Sequence, residues 1–203
     1  MKKLAAVVMM ITMATFMVAA MASADDDHGR GFHGQYAMTG PGACLYSLSP
    51  FSSILTLPGG NDWIASKLAV GTWTFERKGT GKAEITVYGI AAPQAAFPTG
   101  TGDSSALSWE FTYTVAADGT ITGELMPGTF LGTYVTGPNA GYGLSYTVDT
   151  LSFFGTVSPD HKTLTLNSAN EVQTFVVYNS SGAPVKTLYA ICNYGRVLVR
   201  TGE

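Results

Sequence analysis

The chain has 203 residues, 46% of them hydrophobic and only 12% charged, with 11 Lys+Arg against 14 Asp+Glu. That length fits one domain or two small ones, and the apolar fraction excludes a disordered chain. The weak negative charge argues against nucleic acid as a main partner, because phosphate binding needs clustered Lys and Arg, and two cysteines supply neither a disulfide-dense scaffold nor a four-cysteine zinc site.

The first segment reads as an address. Met1-Lys2-Lys3 is a short positive start, Leu4 to Met21 is apolar apart from Thr12 and Thr15, and Ala22-Ser23-Ala24 is a small-x-small cleavage site. This is the pattern of a secretory signal peptide over residues 1–24, which places the mature chain in the periplasm or outside the cell. Loss of Lys2 and Lys3 leaves nine basic against 14 acidic side chains, a net charge of −5. No later apolar run is long enough to cross a membrane as a helix. Residues 25–33 form a polar, Gly-containing leader, expected to be disordered. Its Asp25-Asp26-Asp27-His28 run reads as a solvated tail rather than a metal site.

From Gly34 to the end the chain reads as a single domain built of strands. A first strand is expected around Gln35–Thr39, followed by Cys44 and an irregular stretch at Pro50–Gly60. The one helix candidate is Asp62–Ala69, about two turns, capped by Asn61 or Asp62, with Trp63, Ile64 and Leu68 on its apolar side. Period-two alternation then dominates. Trp73 and Phe75 oppose Thr72, Thr74 and Glu76; Ala83, Ile85 and Val87 oppose Lys82, Glu84 and Thr86. Ala91–Ser105 holds two prolines and two glycines and reads as a loop. Trp109, Phe111, Tyr113 and Val115 line one face of Ser108–Val115. Asp118-Gly119 turns that strand into Thr120–Leu125, a strong hairpin signal. Gly79-Thr80-Gly81, Ser158-Pro159-Asp160-His161 and Asn179-Ser180-Ser181-Gly182 mark three more turns. The last separates Val172–Tyr178 from Val185–Cys192, after which Val197 and Val199 oppose Arg196, Leu198 and Arg200.

The expected fold is all-β: an antiparallel meander closing into a small barrel of about eight to ten strands, or alternatively a β-sandwich. Closure would bring the first strand beside the last. In an oxidising compartment it would join Cys44 to Cys192 in a disulfide.

Gly34-Gln35-Tyr36 near the start, Gly71-Thr72-Trp73 further on and Arg196 near the end, within a disulfide-closed meander, resemble the lipocalins of the calycin superfamily. Those carry Gly-x-Trp on the first strand and Arg on the last. The resemblance is architectural, covers most of the mature chain and implies a secreted barrel holding a small hydrophobic molecule.

Chemistry is hard to find. His28 and His33 fall in the leader and His161 in a turn, poor places to hold a general base. No hydrolase, zinc-protease or nucleotide-binding fingerprint is present. Glu76, Glu84, Glu110, Glu124 and Glu171 read as outward strand charges rather than paired catalytic carboxylates. No catalytic residue, metal site or cofactor is assigned, and the chain does not read as an enzyme. The candidate ligand-lining residues are Trp73, Phe75, Trp109, Phe111 and Tyr113, facing either a packed core or a cavity for a small hydrophobic ligand. Two other readings are a non-catalytic structural or interaction protein with a filled core, and an outer-membrane barrel. The sequence leaves the oligomeric state open.

Overall fold

The computed structural model describes residues 32–52, 62–92, 100–146, 151–168 and 172–202. Eleven strands run β1 Gly34–Ser47, β2 Trp63–Phe75, β3 Thr80–Ala91, β4 Thr101–Val115, β5 Thr120–Leu125, β6 Leu131–Thr136, β7 Gly143–Tyr146, β8 Ser152–Val157, β9 Thr163–Ser168, β10 Val172–Tyr178 and β11 Pro184–Gly202. All belong to one antiparallel sheet. Eight of them, β1-β2-β3-β4-β5-β8-β9-β11, close into a ring through the β1–β11 pairing. No helix occurs among the described residues.

The ring departs from a simple meander on one side, where the sheet forks. β4 pairs with β6 through Ser104–Ser108 and with β5 through Phe111–Val115. β11 pairs with β10 through Pro184–Ile191 and with β9 through Gly195–Val199. The path β6-β7-β10 therefore bridges β4 to β11 a second time, above β5-β8-β9. We orient the molecule with the β2–β3, β4–β5 and β8–β9 turns at the bottom. β1, β2, β3, β4 and β11 then run the full height.

The four expected turns sit where Gly and Asp permit. Gly79, Gly119 and Gly182 take positive φ, the conformation that lacks a penalty only for glycine. The side chains of Asp118, Asp160 and Asn179 accept from backbone N–H groups two residues on. Strand interiors alternate: odd positions of β2, β3 and β4 face in and even positions face out, except at Ser104, which is buried where the register to β6 shifts.

Four expectations change, the first being the Ala91–Ser105 loop, of which Ala91 ends β3 and Thr101–Ser105 begin β4, paired to β3 and β6. Asp62–Ala69 is not a helix but the start of β2. Ala65 and Ala69 face inward while Ile64, Ser66 and Leu68 face out, and the segment pairs with β1 on one side and β3 on the other. Two turns of isolated helix are marginal, whereas extension satisfies backbone groups on two neighbours at once. The end of β11 is inverted: Arg196 and Leu198 face inward, at 7% and 0% exposure, and Val197 and Val199 face solvent. Pairing to β1 and β9 sets that phase, in which Leu198 joins the core. The expected leader lies mostly outside the described residues, but its Phe32 is wholly buried. The Phe32 ring sits 4.9 Å from Phe75, 5.6 Å from Tyr36 and 5.8 Å from both Tyr113 and His161, closing the bottom of the ring. The Tyr113 hydroxyl lies 2.7 Å from the carbonyl oxygens of both Phe32 and Glu76, and Tyr36 donates to the His161 carbonyl at 2.7 Å.

Gly155 of β8 faces inward where β9 crosses closely. A Cβ there would overlap the Thr165 carbonyl. Gly155→Ala should destabilise the protein by about 1–3 kcal/mol, through displaced backbone rather than lost contacts. Urea unfolding would check this against Gly128→Ala: Gly128 has positive φ but open space around it, so backbone strain acts there without overlap.

Candidate functional site

The lower half of the ring brings together all five residues expected to line a cavity. Trp73, Phe75, Trp109, Phe111 and Tyr113 are 0–6% exposed. Trp73 lies 4.9 Å from Phe111, 5.3 Å from Phe153 and 5.6 Å from Trp109, centroid to centroid. Phe75 lies 5.0 Å from Tyr113 and 5.3 Å from Phe111, both edge to face. These are contact distances for aromatic pairs. The rings occupy one another's space, and Phe32 and Phe153 extend the same packing. The Trp73 Nε1 is buried without a hydrogen-bond partner.

The upper half is different inside. Lys67 of β2, Asp103 of β4 and Lys186 of β11 hold inward positions and border a cavity of about 50 Å³ together with Tyr46, Trp63 and Tyr134. Lys67 Nζ lies 3.4 Å from Asp103 Oδ1 and 5.4 Å from the centre of the Tyr46 ring. Tyr46 stacks on Trp63 at 5.2 Å with planes 16° apart. Lys186 Nζ donates to Asn139 Oδ1 at 3.2 Å. Below this group the Arg196 guanidinium lies 4.8 Å over the Tyr194 ring, and the Tyr194 hydroxyl is 3.1 Å from Cys44 Sγ. The cavity therefore has two ammonium groups, one carboxylate and an aromatic wall. At about 50 Å³ it has room for a few waters or a small anion beside the second ammonium.

Burial dominates the electrostatics. It pushes the Tyr46, Tyr134 and Tyr194 phenols well above their ordinary range, reinforced by the Asp103 charge. Tyr113 is raised in the same way, by burial first and then by Tyr36 and Glu76. Burial lowers Lys186, and the nearby Asp103 charge opposes that. A phenol whose folded pKa is raised binds its proton more tightly in the folded state. The stability it contributes is complete below the ordinary phenol value near 10 and falls as pH rises above it. Alkaline titration should show the phenolate absorbance of Tyr36, Tyr46, Tyr113, Tyr134 and Tyr194 only as β-sheet circular dichroism is lost. Lys186, with its lowered pKa, has the opposite sign but is a single half-buried group.

The sequence hid this cluster. Lys67 lies in the window with helical spacing, Asp103 in a stretch rich in Pro and Gly, and Lys186 beside the Asn179–Gly182 turn. The usable signal was alternation: Lys67 is in phase with Trp63, Ala65 and Ala69, and Lys186 with Leu188, Ala190 and Cys192. His161 is held by Phe32 rather than placed in a cleft. Glu76, Glu84, Glu110 and Glu124 are exposed, and Glu171 lies outside the described residues. Among the described residues no three His, Cys, Asp or Glu side chains gather as a metal site. No helix among them is long and apolar enough to cross a membrane. Comparison with known proteins finds no matching family model, no matching curated protein and no matching solved structure.

Proposed function

We propose that the mature chain is an exported, non-catalytic binding protein that takes a small ligand at the upper end of the ring. The observation that carries this is the inward cluster of Lys67, Asp103 and Lys186 beside a cavity walled by Tyr46, Trp63 and Tyr134. Turning charges inward costs free energy unless they are paired, and one ammonium here exceeds the carboxylates. The Trp73, Phe75, Trp109, Phe111 and Tyr113 rings lie within contact distance of one another, which favours packing over a hydrophobic ligand among them. At about 50 Å³ the cavity suits an anion of a few atoms, held toward Lys67 and Lys186. Export accords with the buried Cys44–Cys192 disulfide, a bond that persists in oxidising compartments.

Protein purified without denaturation should yield an acidic small molecule on solvent extraction and mass spectrometry. Lys186→Met should lose it while keeping the fold. Recovery of no such molecule from the wild-type protein, or equal recovery from both proteins, would overturn the reading. The filled core favours one second reading, an interaction protein that binds through its loops. Recovery of an intact protein complex with no small molecule would support that instead.

A further inference from the structure

The inward row at the base of the upper cavity is shaped around its charges. Lys67 of β2, Gly89 of β3 and Asp103 of β4 are successive register partners. A Cβ on Gly89 would overlap both Lys67 Nζ and Asp103 Oδ1. The glycine therefore lets side chains from two non-adjacent strands meet across the strand between them. Ala65 and Ala91, the register pair one step above, are also small and border the space that remains. Lys186 reaches the same cavity from β11, where its Nζ donates to the neutral Oδ1 of Asn139. No carboxylate among the described residues pairs with Lys186.

The elements around Lys186 bring Tyr46 from β1, Lys67 from β2, Asp103 from β4 and Tyr134 from β6. β10 places Val177 opposite Lys186, which adds no ionisable group. Asp62 and Arg196 do not border the cavity. Burial holds the Tyr46 and Tyr134 phenols in their protonated, uncharged form. The charge of the site is then that of two ammonium groups and one carboxylate, a surplus of one positive charge.

Resting on the reading of the upper cavity as a ligand site, we propose that it takes one monovalent anion of a few atoms and that a proton enters with the anion, onto Lys186. A single negative charge cancels the surplus, whereas a dianion leaves a negative charge uncompensated among buried groups. At about 50 Å³ the space suits formate, chloride or nitrate rather than a larger acid. The proton follows from the same count. With Lys186 neutral, Lys67 and Asp103 compensate each other and no net charge attracts an anion. Burial lowers Lys186 from the ordinary lysine value of 10.5, with Asp103 opposing, so its neutral amine forms at a lower pH than that of an exposed lysine. An anion beside Nζ favours the ammonium and shifts it back up. Binding is therefore complete below the ligand-free value of Lys186 and is lost as pH rises above it.

The test is isothermal titration calorimetry of the full mature chain, disulfide intact, with sodium formate and with sodium sulfate in chloride-free buffers from about pH 6 to about pH 10. Both anions keep their charge across that range. Formate should bind about tenfold or more tightly than sulfate at neutral pH, and about tenfold or more weakly at the alkaline end than at neutral pH. Buffers of different ionisation enthalpy should reveal proton uptake on binding that grows with pH. Lys186→Arg, whose guanidinium stays charged throughout, should bind formate without pH dependence. Lys186→Met should bind neither anion, with unchanged circular dichroism. Formate binding by the wild type that is flat with pH, sulfate binding as tight as formate, or a wild-type pH profile in Lys186→Arg each overturns this inference while leaving the ligand site standing. Failure of either anion to bind at any pH overturns the ligand site as well.

Discussion

Trp73→Ala should lower stability by about 3–5 kcal/mol, the range for truncating a large aromatic in a filled core. Trp73 is 1% exposed and sits at the centre of the lower half, touching Phe75, Trp109, Phe111 and Phe153. Its removal opens a void that inward-facing strands cannot collapse into, because each is paired on both sides. For a domain of this size the melting temperature should fall by about 10–15 °C. Trp73→Phe should cost much less, since the indole N–H makes no hydrogen bond in the folded protein. Tyr88→Ala, half-exposed on the outer face, should change stability by about 0.5 kcal/mol or less. Urea unfolding followed by circular dichroism separates the three. A loss below about 1 kcal/mol for Trp73→Ala would mean that the rings already border empty space.

The second large effect belongs to the seam. Cys44 and Cys192 are direct partners in the β1–β11 ladder, with Cα atoms 4.1 Å apart and both residues 1% exposed. They join positions 148 residues apart. Closing so long a loop removes much of the freedom of the unfolded chain, and the chain-entropy account gives about 5 kcal/mol. The double variant Cys44→Ala with Cys192→Ala should be less stable by about that amount. The β1–β11 pairing itself survives, so folded protein with a lower urea midpoint is expected. A midpoint unchanged from wild type would show that the unfolded chain is already held together without the bond.

Much of this architecture was legible in the sequence, and the reason is local. The turns announce themselves through Asp118-Gly119 and Gly182, and the strands through alternation as plain as Trp109, Phe111 and Tyr113. The pairing of Cys44 with Cys192 followed from closure. The fork in the sheet could not be read, because nothing in β4 distinguishes the half that meets β6 from the half that meets β5. That choice is made by strands far away in the chain. Lys67 was hidden for a related reason: the segment Trp63–Ala69 satisfies helical spacing by itself, and only its two neighbours make it a strand. The five aromatics were placed correctly on inward faces. Phe32 and Phe153 add their rings to that cluster from outside those strands, a contribution alternation within the strands does not announce.

The β1–β11 seam also imposes an order of events. β1 begins at Gly34 and its partner ends at Gly202, so the ring has no closed form until nearly the whole chain is present. Contacts of such long sequence separation form late and slowly. Until then, β1 offers an unpaired edge to whatever else is nearby. A cell making this protein must therefore keep a nearly complete chain open and unaggregated, then let two distant segments meet before the thiols oxidise. The hairpins can form early, but the molecule becomes one object only at its last strand.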